Sequence, residues 1–235
     1  MKIRLPRFMR SPPPFTHEQA LLRLKAMGLA PRAIYDIGAF HGGWTKAARK
    51  VFPDSGYFLF EANADNAPKL TETGETFFNA VLSGEDGVAT EFYLPKNAVA
   101  TGASLYKEQT SHYDGDNLRV VPVTTRRLDA LAAEHKLPPP DIIKLDVQGA
   151  ELDVLAGAGA LLTTTSAIIA ELSFLSYNDA APLIADVIAG IGKLGFKCAD
   201  ICEVHKTASG SVLQADFLFA NPALFAKFRA AAGLI

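Results

Sequence analysis

Four apolar runs in this sequence end in polar residues that can do chemistry. Ala33-Ile-Tyr-Asp-Ile37 leads into Gly38-Ala-Phe-His-Gly-Gly43, Gly56-Tyr-Phe-Leu-Phe60 stops at Glu61, a third run carries Asn79, and Ile142-Ile-Lys-Leu145 passes through Asp146 into Gln148-Gly149. Short, nearly continuous apolar runs are what strands buried on both faces of a parallel sheet require. Open α/β sheets bind ligands in the crevice outside the carboxyl ends of such strands. Gly38, Gly42 and Gly43 permit a tight turn and close approach of a ligand to backbone, and the helix start behind them offers free N–H groups. Glu61 stands about twenty residues beyond the first glycine, the distance at which an acid accepts hydrogen bonds from a ribose diol. Glycine loop and acid together, in βαβ order, point to an adenosine-containing ligand. The loop is not G-x-G-x-x-G, and Asp36 just before its first glycine would repel a pyrophosphate. That acid suits an amino-acid ammonium group or a hydrogen-bonded turn, and the first of these leads to S-adenosylmethionine. Asp146 reads either as a group in the crevice or as a turn cap. Glu151, in the first turn of the following helix, reads either as a chemical group or as an acid favoured by the helix dipole.

The elements that would position these residues alternate in a regular way. Thr16 to Met27 predicts a helix capped by Thr16 and stopped by Gly28. After the first strand, Trp44, Ala47, Ala48 and Val51 keep helical spacing up to Pro53. A short helix from Ala64 to Thr71 and a strand near Thr76 to Leu82 complete a βαβαβ run, the signature of a parallel, doubly wound sheet. Val88 to Leu94 and Leu118 to Thr125 predict strands flanking a polar loop, Pro95 to Asn117, long enough to be a lid or binding loop. A helix from Leu128 to Glu134 and the Pro138-Pro-Pro140 linker return to the central strand. Beyond it come a helix from Glu151 to Leu162, a strand Ala167 to Glu171, a helix Pro182 to Leu194, and two strands, Phe196 to Ile201 and Val212 to Phe219, paired as a hairpin-like edge.

Bulk properties narrow the function classes. The 235 residues are 49% hydrophobic and suffice for one α/β domain with a full core. The expected division is a basic, proline-containing arm over 1–15 and a single domain over 16–235 with a substrate-loop insertion around 95–117. A formal net charge of −2 removes any global case for nucleic-acid binding. Met1 to Arg10 carries Lys2, Arg4, Arg7 and Arg10 but no apolar core of a signal peptide. No apolar run is long enough to span a bilayer. Cys198 and Cys202 in an extended strand would have Cα atoms about 13 Å apart, beyond disulfide reach. Buried, reduced thiols in a cytoplasmic protein are expected.

The sequence resembles the FkbM-type S-adenosylmethionine-dependent methyltransferases from about Ile34 onward. The matching pieces are Tyr35 to Gly43, Phe60-Glu-Ala-Asn63, Asn79-Ala-Val-Leu82, Ala103-Ser-Leu105, Arg127-Leu-Asp129, Ile142 to Ala158, Glu171, Leu194-Gly-Phe196 and Gln214-Ala-Asp216. Two departures stand out. Phe40-His41 follows Gly-Ala where the family often has Asn, and Gln148 replaces a common Glu. The resemblance implies a Rossmann-like fold, a mostly parallel seven-stranded sheet with helices on both faces. It also implies methyl transfer from S-adenosyl-L-methionine to a hydroxyl of a sugar, glycan or small natural product. On this reading the cofactor contacts are Asp36, Gly38, Ala39, His41, Gly42, Glu61, Ala62, Asn79, Ala80, Ser104 and Asp146. Asp146 is the first candidate for a base or acceptor-orienting group, with Glu171 and His112 behind it. No spacing of metal ligands is present, so no metal is assigned. The expected partner is a small-molecule or glycan acceptor, with no nucleic acid, no integral membrane segment and a homo-oligomer left open.

Two other readings remain. A nicotinamide-dependent oxidoreductase would need a loop receptive to pyrophosphate, against which Asp36 argues. A non-catalytic adenosyl-ligand binding protein would tolerate loss of Asp146.

Overall fold

A computed structural model of the chain describes residues 15–96, 102–110 and 117–234. The basic arm expected over 1–15 lies almost wholly outside the described residues, as does His112. Two sheets organise the rest. The main sheet contains β1 (Ala33–Ile37), β2 (Gly56–Glu61), β3 (Thr76–Asn79), β7 (Ile142–Leu145), β8 (Ala167–Ser173), β9 (Lys197–Lys206) and β10 (Val212–Ala220) in the order β3-β2-β1-β7-β8-β10-β9. All its pairings are parallel except those of β10, which runs antiparallel to both β8 and β9. The small sheet orders β4 (Val81–Leu82), β6 (Leu118–Arg126) and β5 (Ala89–Pro95).

Every residue of β1 and of β7 is buried. Successive strand side chains point to opposite faces, and the core divides accordingly. Tyr35, Phe60, Ile143, Ile168 and Phe217 belong to one apolar layer, and their neighbours Ile34, Leu59, Ile142, Ile169 and Leu218 to the other. Each fully buried side chain of this size contributes roughly 1.5–3 kcal/mol, so a one-residue register slip, which exchanges the faces, is strongly disfavoured. α1 (His17–Ala26), capped by the Thr16 hydroxyl, and α2 (Gly43–Val51) cover one face. α4 (Leu128–Glu134), α5 (Glu151–Ala156) and α6 (Ile184–Lys193) cover the other. α3 (Ala67–Thr71) follows a single 3-10 turn between β2 and β3. No helix among the described residues is long and apolar enough to cross a membrane.

Several elements depart from the sequence reading. The third strand is cut at Ala80, because the Asn79 amide donates to the Glu61 and Ala62 carbonyls (2.8 and 3.1 Å) and Ala80 N–H to Glu61 O. Val81 and Leu82 then pair with β6 instead. α5 stops at Ala156 rather than Leu162. Gly157 lies so close to the Ser83 carbonyl that an added Cβ would stand 2.1 Å from that oxygen, and only a 3-10 turn, Gly159–Thr163, continues the chain. β9 runs five residues past Ile201 in the sequence, to Lys206, and β10 inserts between β8 and β9, leaving β9 alone at the edge. A closing helix, α7 (Pro222–Ala231), capped by Asn221, was not foreseen. Cys202 is buried as expected but Cys198 is exposed, its residue lying on the edge strand; both are free thiols.

Candidate active site

The glycine loop is wedged between two strands. Gly38 and Ala39 N–H both donate to Phe60 O (2.9 and 3.1 Å), and Asp146 N–H donates to Ile37 O (3.0 Å). Gly38 has φ +75°, and a Cβ there would meet the Asp146 carbonyl oxygen at 1.8 Å. Phe40 has φ +50°, uncommon for a residue with a side chain. Its N–H is caught by the Glu61 carboxylate (2.7 Å to Oε2), whose other oxygen takes the Asn63 N–H (2.8 Å). Burial pushes the Glu61 pKa up, against these backbone donors. A carboxylate has about four lone-pair sites, so Glu61 fastens two loops and still has acceptor capacity toward the space beside it.

That space is a cavity of about 230 Å³. Gly38, Ala39, Glu61, Ala62, Ala80 and Asp146 line it together with apolar Val81, Leu82, Phe92 and Leu105. The remaining expected contacts lie elsewhere. Asp36 is fully buried behind the cavity wall; its Oδ2 accepts from Thr45 Oγ1 (2.6 Å), and its Oδ1 has no hydrogen bond and sits 3.9 Å from Lys144 Nζ. It therefore does not face a ligand's ammonium group, as the sequence had suggested. His41 stacks on the Phe40 ring (3.7 Å between centroids), and Gly42, at φ +72°, is the N-cap of α2. Asn79 braces the Glu61 carbonyl, and Ser104 Oγ donates to Gln148 O (2.9 Å).

A second chamber of about 430 Å³, edged by charged side chains, opens on the other side of Asp146. Trp44, Lys144 and Asp146 line both spaces; His17, Glu171, Glu203, His205 and Asp216 line the chamber alone. Both Asp146 oxygens are engaged, Oδ2 by the buried Lys144 ammonium (2.9 Å) and Oδ1 by the Gln148 amide (2.9 Å). Burial pulls the Lys144 pKa down, but the charges of Asp146 and Asp36 more than offset it and hold the ammonium above its ordinary value. Gln148 sits at φ +53° and uses the same amide nitrogen to reach Glu171 Oε2 (2.5 Å), which also takes the Gln214 amide (2.8 Å). Burial, then the charges of Asp146 and Asp216, push the Glu171 carboxyl up to about 9. Glu151 lines neither space. It accepts from Gly149 N–H (3.1 Å), and burial raises its pKa to about 7.

Asp216 is flanked by two histidines: His205 Nε2 stands 3.1 Å from Oδ2, and His17 Nε2 stands 3.4 Å from Oδ1. Burial alone would raise its pKa; the bonds to His17 and His205 reverse that and hold the carboxyl well below the usual range. His17, Lys144, His205 and Asp216 went unassigned in the sequence. Asp216 and Lys144 had a signal, through the Gln214-Ala-Asp216 and Ile142 to Ala158 matches; His17 and His205 had none. The strand pairing unites them, since Asp216 lies opposite Glu171 on β8 and opposite Glu203 on β9.

The family model of the methyltransferase FkbM domain matches residues 36–198. Over 156 residues the chain is 31% identical to the 2-O-methyltransferase NoeI of Sinorhizobium fredii, a match covering 60% of this chain and 63% of that protein. Over 119 residues it is 26% identical to the hexuronic acid methyltransferase AglP of Haloferax volcanii, covering 49% of this chain and 46% of that one. The chain thus spans less than two thirds of the length of either curated relative. Among solved structures, magnesium protoporphyrin IX methyltransferase from Synechocystis PCC 6803 aligns with a TM-score of 0.48 and 11% identity over 87% of this chain and 77% of that one.

Proposed function

Because the chain belongs to the FkbM methyltransferase family, we propose that it transfers a methyl group from S-adenosylmethionine to a hydroxyl of a sugar or a small natural product. The observation that carries this reading is the pair of spaces meeting at Asp146, one largely apolar with a buried carboxylate, the other lined by acceptors for hydroxyl groups. The residues fit the cofactor. Glu61, which lines the cavity with acceptor capacity beyond its Phe40, Asn63 and Asn66 donors, would hold a ribose diol, and Val81, Leu82 and Phe92 give an apolar wall for a flat base. When bound, S-adenosylmethionine supplies a methyl group already activated on a cationic sulfonium.

What remains for the protein is positioning and proton removal. Asp146, locked by Lys144 and Gln148, orients the reacting groups at the junction. The segment 102–110, whose Ala103 and Leu105 line the cavity, lies against the segment after β8. They are laced together by Gln109 N–H to Tyr177 O (2.6 Å) and Asp179 N–H to Lys107 O (2.8 Å), and held to the Gln148 turn by the Asn178 amide (2.9 Å).

Calorimetry tests the cofactor half. S-adenosylmethionine and S-adenosylhomocysteine should bind with micromolar affinity and NAD should not; tighter binding of NAD overturns the reading. Transfer of labelled methyl to a panel of methyl glycosides tests the acceptor half, with ether formation at a hydroxyl expected.

A further inference from the structure

Hydroxyl methylation leaves a proton to be disposed of, and the groups around the chamber differ in their capacity to take it. Asp146 has one oxygen on an ammonium and the other on an amide. Glu171 has two amides on one oxygen, and burial beside the Asp146 and Asp216 charges raises its pKa. Asp216 faces a histidine with each oxygen. A carboxylate of ordinary pKa is a weak base near neutral pH, whereas a neutral imidazole is matched to that task; two histidines line the chamber, and their ring nitrogens are not equivalent.

Indole N–H is a donor only, so Trp44 Nε1, 3.1 Å from His17 Nδ1, occupies that nitrogen's lone pair. Neutral His17 must then carry its hydrogen on Nε2, which points at Asp216 and Glu203. It has no free lone pair. His205 also turns Nε2 to Asp216, but among the described residues nothing is hydrogen-bonded to its Nδ1. Neutral His205 with hydrogen on Nε2 therefore keeps a free lone pair on Nδ1, in a ring that lines the chamber.

We infer that His205, oriented by Asp216, is the residue that accepts the proton of the acceptor hydroxyl. The inference rests on the methyltransferase reading above. In the step, the hydroxyl oxygen bonds to the methyl carbon as the carbon–sulfur bond breaks, its electron pair leaving with sulfur. The hydroxyl proton passes to Nδ1, and the imidazolium so formed is held by the Asp216 carboxylate. The surroundings favour that charge. The bond to Asp216 raises the His205 pKa, burial opposes it, and the Asp216, Glu203 and Asp146 charges add to the rise. Glu171 Oε1 stands 3.6 Å away, and Glu18, His17 and Lys144 complete the walls. A base must be unprotonated to act, so turnover should rise with pH through a midpoint above the ordinary histidine value of about 6.5.

The test that needs no acceptor is long-range ¹H–¹⁵N NMR of the full chain saturated with S-adenosylhomocysteine, with His205→Gln to assign the ring. The expected result is an Nε2–H tautomer whose Nδ1 titrates, with a midpoint that falls in Asp216→Asn. An Nδ1–H tautomer, an absence of titration between about pH 5 and 9, or selective broadening by stoichiometric Mn²⁺ overturns the inference; the last result would make the cluster a metal centre. Turnover with methyl β-D-glucopyranoside and methyl β-D-glucuronide gives the second arm. His205→Gln should lose at least about a hundredfold in kcat along with the pH dependence. A rate within about threefold of the parent overturns the assignment; if neither glycoside is methylated, the tautomer decides. Failure of the methyltransferase reading would show separately, as no binding of S-adenosylhomocysteine.

Discussion

The cavity beside the glycine loop and the chamber meet at Asp146, yet they are built in opposite ways. The cavity is a product of backbone: two glycine-loop N–H groups on one carbonyl, a glutamate holding two more, and a glycine where no Cβ fits. The chamber is a product of side chains delivered by α1, α2, β7, β8, β9 and β10. A backbone site tolerates almost no change at its key position but depends little on remote parts of the chain. A side-chain site survives single substitutions as a structure and loses its chemistry instead.

Gly38→Ala should give the largest effect. Left-handed geometry costs a residue with a Cβ about 1–2 kcal/mol, and the added clash with the Asp146 carbonyl at 1.8 Å must move backbone. A loss of at least about 3 kcal/mol in chemical denaturation is expected, and a variant of parental stability would break the comparison at its root. Glu61→Ala comes next. Removing a buried charge-assisted acceptor should weaken S-adenosylhomocysteine about ten- to hundredfold, or 1.5–3 kcal/mol, measured by calorimetry, with the His205 titration unmoved.

Asp216→Asn should cost about 1–2 kcal/mol, less than a fully buried pair because His205 is 41% exposed and solvent screens it. Its pH signature is the sharper readout. The folded pKa of Asp216 is lowered, so its stabilisation is present above about pH 4 and fades as pH falls through the lower folded value. The folded pKa of His205 is raised, so its share is full below about pH 6.5 and fades as pH rises through the folded value. Wild type should therefore lose stability as pH rises above neutral, and Asp216→Asn should flatten that loss in thermal melts. Asp146→Asn should be smallest for binding, changing S-adenosylhomocysteine affinity by less than about tenfold, or 1.4 kcal/mol. A collapse of cofactor binding would assign Asp146 to the cavity rather than to the junction.

The same contrast explains what the sequence revealed. Gly38, Glu61 and Asp146 were legible because each lies at a strand end, where local pattern alone predicts placement. Most strand and helix positions followed from apolar period for the same reason. His205 and Asp216 were not legible as a pair. Their meeting depends on β10 entering between β8 and β9 and on register shifts, one between Asp216 and Phe217, that no local pattern encodes. Asp36 was misplaced because a strand residue one position before the turn points to the face that Thr45 and Lys144 occupy. Cys198 and Cys202 differ in burial although both lie on the edge strand β9, and a register shift at Leu218/Phe219 separates their pairings, which four-residue spacing does not encode.

The insertion of β10 also orders events in time. The glycine loop is held by the Phe60 carbonyl of β2 and by the end of β7, whereas Asp216 becomes available to β8 only once β9 has been made. Domains assemble as synthesis proceeds, at about 5–20 residues per second, and strand pairings distant in sequence form late. During that interval β8 offers an unpaired edge carrying Glu171 without its neighbours. The glycine-loop cleft can thus be in place before β10 completes the chamber, and the Arg23–Asp200 ion pair (2.6 Å) between α1 and β9 joins positions 177 residues apart.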